Sequence, residues 1–73
     1  MEILKVSAKS VTTSVAGAIA GVIRENGEVE IQAVGAGATN QAVKSIAVAK
    51  SYLAPECGIV FIPDFVKVNI NNE

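Results

Sequence analysis

Two short runs hold the side chains best suited to chemistry. "AKSVTTS" places Lys9, Ser10, Thr12 and Thr13 together, and "GAGATNQAVK" places Gly35, Gly37, Thr39, Asn40 and Lys44 together. Glycines, hydroxyls, an amide and an ammonium in front of a helix are the groups that hold an anion. Free N–H groups and the dipole at a helix start favour negative charge. The chemistry these residue types suit is phosphate contact. Catalysis has less to work with. The chain has no histidine, so Ser10, Ser14 and Thr39 have no imidazole to activate them, and cysteine–histidine catalysis lacks one partner. We expect no catalytic residues and no enzyme activity.

Other ligand classes fit poorly. "GAGATN" lacks the third glycine of a dinucleotide fingerprint. The Gly-Lys-Ser/Thr of a P-loop is missing. A single thiol, Cys57, and no histidine leave no usual zinc ligand set. No metal and no small-molecule cofactor are expected. Tyr52, Phe61 and Phe65 are the only aromatics, too few for a stacking platform. Glu28 and Glu30 alternate with apolar residues and read as a solvent-facing side, not a catalytic pair. The glycines also have a plainer reading, as a tight turn and close helix–sheet packing.

The elements that position these runs follow from periodicity. "EILKVSA" (residues 2–8) alternates partly and reads as a first strand. The hydroxyls of "KSVTTS" suit a helix cap. Val15, Ile19, Val22 and Ile23 share one face of a helix over 12–26, which Gly27 stops. Gly17 and Gly21 inside it each cost about 1 kcal/mol relative to alanine. They imply a backbone passing close by, either the chain's own sheet or second helix, or a neighbouring subunit. "EVEIQAV" (28–34) is a second strand. A second helix is expected over 39–53, with Ala42, Ile46, Ala49 and Leu53 as its stripe and Val43 and Val48 away from it. "CGIVFI" (57–62) reads as a third strand, with Cys57 in the core, and "FVKVNI" (65–70) as a fourth.

This order predicts one α/β (α+β) two-layer sandwich over 1–73. Its mixed sheet carries both helices on one face and Lys5, Glu30, Gln32 and Lys67 on the other. Parallel first and second strands bring "AKSVTTS" and "GAGATNQ" side by side at one sheet edge. Lys9, Ser10, Thr12, Thr13, Gly35, Gly37, Thr39 and Asn40 then form a single polar rim.

Bulk properties narrow the partners. The 73 residues carry 6 basic and 7 acidic side chains, a net charge of −1. Strong non-specific nucleic-acid binding usually needs a clearly basic domain, so any such contact is local and weak. A short chain, 51% hydrophobic and without a disulfide, suggests a homo-oligomer. No signal peptide and no membrane span are read, so a cytoplasmic location is expected.

"MEILKVSAKS", "SVAGAIAGVIRENG" and "EIQAVGAGATNQAVKSIAVAKSYLAP" together resemble the stage V sporulation protein S family from Met1 to about Ile70. That family is similar in fold to Alba, the archaeal chromatin protein. The resemblance implies an Alba-like β-α-β-α-β-β domain. It implies a bacterial regulator of sporulation acting in spore-coat assembly and core dehydration, with nucleic-acid binding inferred from Alba. Where Alba has basic residues before the second helix, this chain has "GAGATNQ". Lys9 and Lys44 are then the cations left to meet RNA or DNA.

Overall fold

The computed structural model describes residues 2–65. The element order is β1 (Ile3–Val6), α1 (Thr12–Asn26), β2 (Glu30–Ala33) and α2 (Ala36–Tyr52). β1 and β2 pair in parallel, with Ile3 opposite Glu30, Leu4 opposite Ile31, Lys5 opposite Gln32 and Val6 opposite Ala33. Side chains alternate across a strand, so this register sorts the sheet into two faces. Leu4 and Ile31 pack against the helices' core, and Val6 beside them is buried. Lys5, Glu30 and Gln32 take the other face, where Gln32 Nε2 donates to Glu30 Oε2 at 2.6 Å. The expected parallel pair and its polar back are present; Lys67 lies outside the described residues.

The core is built on small residues. Ala16 and Ala20 of α1 and Ala49 of α2 are wholly buried with Ile19. Leu4, Val15, Ile23, Val29, Ile31, Ile46, Val48, Leu53 and Ile59 close around them. Alanines at the seam let two helix backbones come close, and larger aliphatics fill the space between the seam and the sheet. The expected faces of both helices are present. Val48 is a correction: it packs inward with the core and does not stand off the stripe. Val43 is exposed.

α1 runs over the expected span and ends as expected. Gly27 takes a left-handed φ of 81° and its N–H bonds the Ile23 carbonyl at 2.8 Å, a glycine stop that a β-carbon would strain. Its start differs. The cap residue is Val11, and no side chain caps it. The nearby hydroxyls are drawn elsewhere: Ser10 Oγ accepts the Ser7 N–H at 2.9 Å.

Three further expectations are corrected. α2 begins at Ala36, three residues ahead of the expected start, so Gly37 and Thr39 are helical and "GAGATN" is a first helical turn. Gly35 makes the sharp entry with φ 92° and ψ 161°, and the alanines after it are good helix formers. Gly17 and Gly21 do not mark a close approach among the described residues: a β-carbon at either would meet no neighbouring part of them within 4 Å. The strand expected over 57–62 has no ladder partner among the described residues, whose sheet has two strands. Ile59 anchors that run to the core instead. Cys57 is half-buried in the bend after α2, where its N–H bonds the Ala54 carbonyl at 2.8 Å. The fourth strand, expected over 65–70, lies outside the described residues apart from Phe65.

Candidate functional site

Val6 and Ala33 end the two parallel strands side by side, so the segments that follow leave from the same sheet edge. The first is a turn closed on itself. Ser10 N–H donates to the Ser7 carbonyl at 3.1 Å. Ser7 N–H donates to Ser10 Oγ, and Lys9 N–H donates to Ser7 Oγ at 3.2 Å. The second segment is the start of α2. Gly37 lies against Ala8: a β-carbon added at 37 would stand 3.1 Å from the Ala8 β-carbon. One helical turn on, Gln41 Nε2 donates to the Ser10 carbonyl at 2.7 Å, with Thr12 Oγ1 at 3.4 Å from the same nitrogen.

The structure therefore joins Lys9, Ser10, Thr12 and Gly37 at one edge, as the parallel pairing requires. Lys9 is exposed there. Thr13 and Asn40 are exposed in and just after the first turns of their helices. Thr39 spends its hydroxyl locally, donating to the Gly35 carbonyl at 2.9 Å. Lys44 stands seven residues beyond Gly37, roughly 10 Å along the helix at 1.5 Å per residue, and flanks the rim. Gln41, absent from the sequence-based set, is the side chain that ties the two segments together. Its partner is a backbone carbonyl, which the sequence does not signal.

The electrostatics are simple. Neither helix has an acidic residue in its first turn, and neither N-cap makes a side-chain bond. The first N–H groups of each helix have no intrahelical acceptor, so both starts favour an anion and no carboxylate of their own first turns competes. Gly37 is accounted for by its fit against Ala8 and Gly35 by its backbone angles. Neither glycine requires a phosphate to explain it. Among the described residues, no three His, Cys, Asp or Glu side chains gather to hold a metal ion. No helix among them is long and apolar enough to cross a membrane.

A model of the stage V sporulation protein S family matches residues 2–73. The chain belongs to that family. The match includes both rim segments and the whole of the described fold. Membership gives the chain a sporulation-related role.

Proposed function

We propose that this chain is a non-enzymatic regulator of sporulation that acts through a weak, salt-sensitive contact between nucleic acid and the rim around Lys9. The observation that carries the reading is the junction of the Ser7–Ser10 turn with α2 through Gln41 and Gly37. It sets an exposed ammonium beside helix starts that lack acidic residues. Family membership supports the sporulation side of the reading. Spore-coat assembly and core dehydration are the processes it would serve, from the cytoplasm, on an Alba-like domain.

The test is a salt titration of binding to single-stranded and duplex RNA and DNA. Affinity should fall as salt rises, with a shallow slope reflecting few phosphate contacts. Lys9→Glu should weaken binding further, because it inverts the charge of the turn. Tight binding that survives both changes would place the contact elsewhere.

A second reading, self-assembly into a homodimer or larger oligomer, has its own support. Val60 and Ile62 are 93% and 91% exposed and Phe65 is fully exposed. Gly17 lies on an exposed flank of α1 with Gly21 one turn on, and none of the described residues packs over either.

A further inference from the structure

We propose that Gln41 is a positioning residue for the rim: its side-chain amide fixes the Ser7–Ser10 turn, and Lys9 with it, against α2. This rests on the reading of the rim as a nucleic-acid contact and adds the side chain that aims the cation. The hydrogen bonds among Ser7, Lys9 and Ser10 all lie within the turn. They set its shape, and its ends are held by β1 at Val6 and by the start of α1; its stance against α2 is set by contacts across to that helix. Among the described residues, a packing contact and a hydrogen bond join it to α2. The Ala8–Gly37 contact is van der Waals only and has no preferred direction. The bond from Gln41 to the Ser10 carbonyl is directional, 2.7 Å long and spans 31 residues of sequence. It grips the residue next to Lys9.

The chemistry selects glutamine. The Ser10 carbonyl accepts only, so residue 41 must donate and must be long enough to cross from helix to turn. Glutamate keeps the length but sets an acceptor against an acceptor. Methionine keeps the volume and donates nothing. Gln41 is half-buried, so losing its donor leaves the Ser10 carbonyl short of a partner. The turn then drifts, and Lys9 no longer holds a fixed place relative to the phosphates.

The experiment uses the full chain and fluorescein-labelled RNA and DNA oligonucleotides, single-stranded and duplex, read by anisotropy over a salt series. Lys9→Ala should reduce the slope of log affinity against log salt by about one contact, roughly 0.7–0.9. Gln41→Met should reduce it by the same amount and lower low-salt affinity severalfold. The double variant should go no further, because the two residues act through one contact. Gln41→Glu should behave as Gln41→Met or worse. A purely structural role for Gln41 would shift melting and leave the slope unchanged. That result, beside a reduced slope for Lys9→Ala, overturns this inference and leaves the rim reading standing. No change of slope or affinity in Lys9→Ala, or no binding of any probe by the unaltered chain, removes the rim reading and this inference with it. A second measurement is independent of ligand: the NOE between the Ala8 methyl and the Gly37 α-protons, which reports the stance of the turn on α2, should weaken in Gln41→Met. An unchanged NOE there would also overturn the pinning role.

Discussion

Gly37 of α2 and Ala8 of the turn after β1 meet so closely that a β-carbon at 37 would stand 3.1 Å from that of Ala8. The glycine lets a helix start slide under a turn. Replacing it with alanine has two opposed effects. Helix propensity gains about 1 kcal/mol, while the turn must move outward by a few tenths of an ångström. Gly17 offers the clean comparison, since a β-carbon there meets no neighbouring part of the described residues within 4 Å. Gly17→Ala should therefore stabilise by roughly 0.5–1 kcal/mol, raising Tm by several degrees for a domain this small. Gly37→Ala should gain clearly less. Thermal melts of the two variants beside the parent decide it, and equal gains would mean that the Ala8 contact costs nothing.

Gly35 serves a different purpose. Its φ of 92° and ψ of 161° lie in a region that side-chain-bearing residues essentially avoid. Gly35→Ala should cost about 1–3 kcal/mol, even though the added carbon meets no described residue beyond its chain neighbours within 4 Å. Urea unfolding would show the loss as a lower midpoint at an unchanged slope. A neutral result would mean that α2 can begin from another backbone conformation.

These glycines also show what could be read in advance and what could not. The period of Val15, Ile19, Val22 and Ile23 placed α1 at its observed limits, because an amphipathic stripe and a glycine stop are local signals. Parallel pairing of β1 and β2 followed from strand–helix–strand order, and with it the meeting of the two rim segments. The start of α2 did not follow. Two glycines among alanines read as loop, and only the angles at Gly35 show that the helix begins at once. Val48 faces inward because α2 is gripped on a wide front by α1 and the sheet, which a narrow stripe does not convey. Gln41 escaped notice because its partner, a backbone carbonyl, has no signature in sequence.

Ser45 is wholly buried in α2, and its hydroxyl donates to the Gln41 carbonyl one turn back at 2.7 Å. That carbonyl already stands in the helix ladder, so Ser45→Ala removes a donor and an acceptor without orphaning another group. Its effect should lie within about 1 kcal/mol of zero. Ser45→Leu forces a larger side chain into a fully enclosed site and should cost roughly 1–3 kcal/mol. Paired denaturant melts separate a site limited by volume from one held by its hydrogen bond. A greater loss for the alanine than for the leucine would reverse the assignment.

Self-association is tested on two valines five residues apart. Val43 is 44% exposed, whereas Val48 packs against the core cluster. A lysine at 43 keeps its stem on the surface and its ammonium in water, so stability should hold. A lysine at 48 has to leave the cluster or drag charge into it, and stability should fall by about 1–3 kcal/mol. The two variants thus separate loss of a contact between copies from loss of the fold. On the self-assembly reading, light scattering of the parent at micromolar concentration should give at least twice the 7.5 kDa protomer mass. Val43→Lys should move that mass toward the protomer with no drop in protomer melting if the exposed flank of α2 forms the contact. If the contact runs through the bare side chains of Val60 and Ile62, Val43→Lys should leave the mass unchanged and Ile62→Lys should lower it, because a charge there opposes burial on both partners at once. A parent that stays at protomer mass across the concentration range would remove the self-assembly reading and leave both exposed patches without a partner copy.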